Sequence, residues 1–169
     1  MNACQNKPYD RDGAYAKLGR TNNELLTHFL HDPYFSRSAP KSTGREYFNL
    51  GWIKDKLTSF NALDVSDTDV MRTLIDLTVS SITQALPDCM QGELLVFGGG
   101  AKNSVLMDSL TQALPYWQVN TTQRIGIDPD FMEACAFAWL AYACIQGIGG
   151  ALPDVTGAER AGILGSVYR

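Results

Sequence analysis

Histidine is scarce in this chain: only His28 and His31 occur in 169 residues. The four cysteines, Cys4, Cys89, Cys135 and Cys144, form no C-x-x-C pair. A zinc site needs Cys and His ligands clustered at short spacings, so this composition argues against one. Scattered thiols of this kind suit a reducing cytoplasm. Basic residues are too few to outweigh the acidic ones. The formal net charge of −4 argues against the basic face of a general nucleic-acid binder. No charge-free apolar run reaches the roughly 18 residues that suggest a membrane span. The nearest approach, 131–148, is interrupted by Glu133. The opening MNACQNKPYDRDG lacks an apolar signal region. What is present, 45% apolar and 19% charged residues, is the balance of a soluble globular domain with a hydrophobic core.

The chain reads as a single domain over 1–169, with 1–12 irregular. A helix is expected from Gly13 to His31, stopped by Asp32-Pro33. A long polar connection follows, then a short helix from about Glu46 to Leu57. Ser66-Asp67-Thr68-Asp69 opens a longer helix, in which Val70, Leu74, Leu77, Ile82 and Leu86 recur at helical period. Pro87 ends it. Glu93 to Phe97 reads as a short buried strand, Asn103 to Leu114 as a helix, and Tyr116 to Thr121 as a second strand. Asp128-Pro129 begins an apolar helix that Gly147 closes. This helix is expected to be buried, with Cys135 and Cys144 as small core hydrophobes. AGILGSVY near the end reads as a last strand. Alternation of strand and helix from residue 93 onward gives an α/β, helix-rich class. Three strands are few beside the about five or six of an average sheet, and the N-terminal third has none. The chain reads as the later part of an α/β domain that lacks its leading strands.

Two features carry chemistry. The first is LLVFGGGAKNSVLMDSL, where a strand meets Gly98-Gly99-Gly100 and then a helix. That order brings backbone N–H groups and a helix N-terminus to a ligand. There is no GxxxxGK[ST] and no GxGxxG, so neither a Walker A loop nor a dinucleotide fingerprint is supported. Three glycines leave a flat surface on which a purine or ribose can rest, and Asn103 can reach a sugar or phosphate oxygen. A tight turn without a ligand accounts for the same residues. The second feature is Glu133, the lone charge of the apolar helix. It is either part of an Asp130/Glu133 capping box or, with Asp128 as the cap, a carboxylate facing a site. Three weaker candidates accompany these. Lys41-Ser42-Thr43-Gly44-Arg45-Glu46 reads as an anion contact or an ordinary helix cap. Thr121-Thr122 lies at a strand end. Asp10, Asp12 and Gly13 make half of a calcium loop whose remainder is missing.

Four stretches in order, PYFSRSAPKSTGREYFNLGWI, LLVFGGGAKNSVLMDSL, GIDPDFMEACAFAWLA and LPDVTGA…ILGSVY, resemble the C-terminal portion of the anhydro-N-acetylmuramic acid kinase family. The similarity covers the chain from about Pro8. It implies the sugar kinase, heat-shock ATPase and actin fold, two RNase H-like lobes with ATP between them, of which this chain would be part of one. The implied reaction converts 1,6-anhydro-N-acetylmuramic acid, ATP and water into N-acetylmuramic acid 6-phosphate and ADP, in peptidoglycan recycling. An aspartate base activates water to attack C1, and the bridge oxygen, now O6, receives the γ-phosphoryl group. The resemblance also implies Mg²⁺, a homodimer, a cytoplasmic location, and neither nucleic-acid nor membrane partners. By position, Gly98, Gly99, Gly100 and Asn103 would line the nucleotide, and Glu133 would lie near the sugar. The family's D-T-G-P-G-N stretch, which carries the base, and its G-T-S-x-D-G stretch do not occur in this sequence. No catalytic residue is therefore expected in this chain, which should be inactive alone and expose apolar edges prone to dimerisation or aggregation. The alternatives are a non-catalytic dimerisation or regulatory module derived from such a kinase, and a small dinucleotide-binding protein that lacks the usual acid at its second strand end.

Overall fold

The computed structural model describes residues 8–87 and 91–168. Cys4 and Cys89 lie outside them. Helices α1 (Asn23–Leu30), α2 (Leu50–Phe60) and α3 (Asp67–Ala85) come first. Strand β1 (Gly92–Val96), α4 (Ser104–Ala113), β2 (Trp117–Thr121), α5 (Met132–Gln146) and a final single turn, α6 (Pro153–Thr156), follow. The two strands run parallel, with Gly92 opposite Trp117 and Val96 opposite Thr121. The architecture is thus α/β and helix-rich, with a small parallel sheet. No helix among the described residues is long and apolar enough to cross a membrane.

Helix α3 organises the rest. Ser66 caps it by accepting from the Asp69 N–H, and Pro87 follows its end. Its apolar residues fall on two faces. Ile75 and Val79, with Met71 and Ile82, pack with Val105 and Leu110 of α4 and with Leu94, Val96 and Val119 from one face of the sheet. Val70, Leu74 and Leu77 pack against Leu25 and Phe29 of α1 and Trp52 and Leu57 of α2. Leu25, Phe29 and Leu110 are fully buried, each worth about 1.5–3 kcal/mol relative to exposure.

The expected helix from Gly13 to His31 is broken. The Asp10 carboxylate accepts from the Tyr15 and Ala16 N–H groups, and Asp12 and Gly13 take left-handed φ of 57° and 65°. Short 3₁₀ turns result at Arg11–Gly13 and Ala16–Leu18. Gly19 then passes so close to the start of α3 that a Cβ there would lie 2.1 Å from the Thr68 carbonyl oxygen. Only after this crossing does Asn22 cap α1, accepting from the Leu25 N–H. The short helix also starts later than expected, at Leu50, with Asn49 as its cap. AGILGSVY belongs to no strand. Its Gly162 carbonyl instead accepts from the Gly150 and Ala151 N–H groups.

The apolar helix departs most from expectation. Phe137 and Ile145 of α5 are each 72% exposed, Tyr142 57% and Trp139 52%. Cys135 is exposed and Cys144 half-buried, so neither is the core residue that the sequence suggests. The best-covered stripe of this helix among the described residues runs along Leu140, Ala143 and Cys144, with Gly150 against Leu140 and Gly165 against Cys144. A helix this apolar is normally wrapped by other layers; the described residues supply one side of that wrapping.

Asp32 ties the N-terminal helices together. It is buried, and it accepts from Tyr47 Oη at 2.7 Å, Trp52 Nε1 at 2.9 Å and the Tyr34 N–H at 3.0 Å. Lys56 Nζ lies 3.1 Å away. Burial alone would push this carboxyl up, but the donors from Trp52, Tyr47, Tyr34 and Lys56 outweigh it and hold the group well below the usual carboxylate range. Asp32→Asn is expected to cost about 1.5–3 kcal/mol, the range for hydrogen bonds to charged groups. A pH effect should accompany it. The native carboxyl titrates below its unfolded value of about 3.9, so its contribution is complete above that value and is lost as pH falls toward the native one. Urea midpoints should therefore drop further between neutral pH and about pH 3 in the wild type than in the variant. Equal drops would refute the role of Asp32 as a charged tie.

Candidate functional site

Strand β1 ends at Val96, and Phe97 is still extended. The chain turns at Gly98, whose φ of 70° is left-handed and suits only glycine well. Gly98–Lys102 form a 3₁₀ turn, and α4 starts at Ser104. The glycines are therefore the turn itself, one step earlier than a direct strand-to-helix junction. Asn103 is the N-cap of α4, its Oδ1 accepting from the Leu106 N–H at 3.1 Å. That use of the oxygen leaves the side-chain NH₂ free to donate elsewhere.

The three glycines are not equivalent. Gly98 is required by its backbone conformation. A Cβ at Gly100 would meet Leu106 Cδ2 at 3.4 Å, ordinary contact at the tight limit. A Cβ at Gly99 would meet nothing within 4 Å, and its φ lies outside the left-handed region. Neither packing nor conformation within the described residues calls for glycine at position 99.

The turn is held on two sides. The Gly98 N–H donates to the Pro129 carbonyl at 2.9 Å, joining it to the segment that leads into α5. Lys102 forms an ion pair with Asp130, whose carboxylate accepts from its ammonium and raises the lysine above its ordinary value. Asp130 is thus engaged with Lys102, and Asp128 Oδ1 accepts from the Asp130 N–H. Neither serves α5 as a side-chain cap; the helix begins at Met132 behind Phe131. Glu133 stands exposed in the first turn, with no hydrogen bond or ion pair among the described residues. On the other side, Asp12 Oδ1 accepts from the Ser104 N–H at 3.0 Å, which lowers the Asp12 pKa and pins the start of α4.

The weaker candidates resolve differently. The Asp10 and Asp12 carboxylates are used by backbone N–H groups, so the half calcium loop is a structural brace. Lys41 donates to the Tyr34 and Phe35 carbonyls and sits 5.1 Å from the Tyr34 ring, so its ammonium is engaged inside the chain. Thr122 is 2% exposed, and its hydroxyl has no partner among the described residues. It lies one step past the Val96–Thr121 pair, at the same carboxyl end of the sheet as the glycine turn. The strand-end position marked this threonine in the sequence, but its orphaned hydroxyl shows only in three dimensions.

A parallel α/β unit with a glycine turn at the carboxyl end of its first strand places ligands at that end. The chain matches the model of the anhydro-N-acetylmuramic acid kinase family over residues 1–169. A Shewanella pealeana protein named anhydro-N-acetylmuramic acid kinase is 52% identical over 163 residues, covering 96% of this chain and 44% of the relative. Relatives of the same name from Pasteurella multocida and Vibrio cholerae are each 48% identical, covering 97% and 98% of this chain. The chain belongs to the anhydro-N-acetylmuramic acid kinase family. It spans less than half the length of the curated relatives it matches, 44–45% for these.

The unequal glycines make a direct test. Gly98→Ala is expected to cost about 1 kcal/mol, since it forces a Cβ into left-handed backbone. Gly99→Ala should leave stability within about 0.5 kcal/mol. Urea midpoints of the two variants check this; similar losses in both would mean that Gly99 is held by packing.

Proposed function

We propose that this chain is the nucleotide-binding, C-terminal part of a cytoplasmic kinase. The whole enzyme would open 1,6-anhydro-N-acetylmuramic acid hydrolytically and phosphorylate it with ATP to N-acetylmuramic acid 6-phosphate, in peptidoglycan recycling. Its fold would be a partial RNase H-like lobe of the actin-like ATPase kind, working as a homodimer. Family membership and the motif order support this reading. The observation that carries it is Gly99, a glycine with open space above it at the carboxyl end of β1. A side chain there would cost the fold nothing and would occupy the room a planar ligand needs.

In this reading Gly98, Gly99 and Gly100 offer a bare backbone surface to the adenosine, and the Asn103 NH₂ reaches a sugar or phosphate oxygen. The uncapped first turn of α5 presents Glu133 toward the anhydro sugar, where a carboxylate can hold a hydroxyl. ATP supplies the phosphoryl group. Mg²⁺ travels with it, held largely by phosphate oxygens and water, as is usual for this ion. Phosphoryl transfer needs an aligned nucleophile as well as a bound nucleotide, and the residues that the resemblance assigns to that task do not occur in this sequence. The work of this chain is to bind and orient.

Calorimetric titration with Mg-ADP tests the assignment. The wild-type chain should bind saturably, and Gly99→Val should bind at least about tenfold more weakly, a loss of about 1.4 kcal/mol, with its unfolding midpoint unchanged. Equal binding by both proteins would refute a nucleotide role for the glycine turn. A mixture of the chain with ATP and the anhydro sugar should show no turnover. Product formation would mean that these residues include a base, and that the chain does more than bind and orient.

A further inference from the structure

Among the described residues, the only buried side-chain oxygen or nitrogen without a hydrogen-bond partner is Thr122 Oγ1. A valine of the same shape would fill the same space, suit the end of a strand and leave nothing unpaired. Packing therefore does not account for the hydroxyl, and a buried polar group without a partner is rare enough to call for a reason.

Its place in the fold supplies one. Val96 pairs with Thr121, and the backbone is still extended at Phe97 and at Thr121. Thr122 therefore follows beside Phe97, the residue before the glycine turn, with the two backbones about 4.8 Å apart at ordinary strand spacing. From Thr122 the chain makes a 3₁₀ turn, Thr122–Ile125, which Gly126 closes in left-handed backbone at φ 81°. Backbone bonds hold this turn shut, among them Gly126 N–H to the Gln123 carbonyl at 3.0 Å and Ile127 N–H to the Thr122 carbonyl at 3.1 Å. Gln123, Arg124 and Ile125 are exposed, and the side-chain ties are surface ones, from Arg124 to Glu93 and Gln118. A turn held in this way opens more readily than the packed core. The segment then runs on to Pro129, whose carbonyl takes the Gly98 N–H.

We propose that Thr122 is a ligand-contact residue of the site at the glycine turn. The Thr122–Ile125 turn shifts as a nucleotide settles there, and the Thr122 hydroxyl then donates to a nucleotide oxygen. The unpaired hydroxyl is what makes the closed turn easy to open, because an opened turn lets water or ligand supply the missing partner. The proposal rests on the reading of the glycine turn as a nucleotide site, to which it adds one residue and one moving part.

Hydrogen exchange of the chain without ligand tests the closed turn. Exchange at the Gly126 and Ile127 N–H groups should be at least about fivefold slower in Thr122→Val than in the wild type, since the closed turn then buries no unpaired hydroxyl. Thr122→Ser keeps the hydroxyl and should show no slowing. Equal rates in wild type and Thr122→Val, or slowing in both variants, would overturn the proposal. Calorimetry with Mg-ADP tests the contact. Thr122→Val should bind about tenfold more weakly and Thr122→Ser within about threefold of the wild type, with the urea midpoint of Thr122→Val equal to the wild type or higher. Wild-type affinity in Thr122→Val would overturn the contact and leave the nucleotide reading intact. A lowered midpoint in that variant would give the hydroxyl a partner inside the fold and overturn the contact as well. A wild-type chain that does not bind Mg-ADP refutes the nucleotide reading, and the contact falls with it.

Discussion

The double-sided burial of α3 is the constraint on which the rest of the structure depends. One helix supplies Ile75 and Val79 to the sheet side and Val70, Leu74 and Leu77 to the α1–α2 side. A helix buried on both faces cannot rotate without exposing one set of side chains, so it fixes the placement of everything around it. The sheet, α4 and therefore the glycine turn take their positions from one face. The Asp32 cluster takes its position from the other. Polar links reinforce the arrangement: Arg72 reaches Asp76 along the helix and Ser109 across to α4. Thr73, fully buried, accepts from the Asn22 N–H at the start of α1.

What the sequence made legible was what local pattern controls. The long helix at 67–85 has its cap, period and terminating proline in plain view, and both strands lie within a residue of their expected bounds. The failures share a cause. Nothing in residues 13–31 shows that Gly19 must pass against the Thr68 backbone, so a continuous helix looked acceptable there. The apolar run of α5 signals burial correctly as a need, yet composition says nothing about what does the burying. At the site, the strand–glycine–helix order was readable, while the division of labour among Gly98, Gly99 and Gly100 depends on φ and on neighbours that only the fold supplies. Asn103 looked like a ligand group and proved to be a cap with one group to spare. A capping box of Asp130 and Glu133 was one of two readings, and the ion pair to Lys102 took Asp130 out of it.

Incomplete covering and the proposed ligand site meet at the same end of the molecule. The glycine turn, the orphaned Thr122 hydroxyl and the first turn of α5 all lie at the carboxyl end of the sheet. Because the Gly98 N–H is bonded to the Pro129 carbonyl, the turn and the root of α5 share a fixed point. Whatever settles α5 also settles the glycine turn.

The bond from Gly98 to Pro129 and the pairing of Lys102 with Asp130 have a further consequence. Together they withdraw one N–H donor and the nearest ammonium from anything arriving at the turn. What remains of the turn is bare backbone beside a lysine whose charge is already paired. Such a surface selects by shape, through close approach to bare backbone, and gives an anion little extra reason to stay. If the turn binds a nucleotide as proposed, its grip would be directed at the uncharged end of that nucleotide and largely indifferent to ionic strength, and recognition of the phosphates would fall to residues outside the turn.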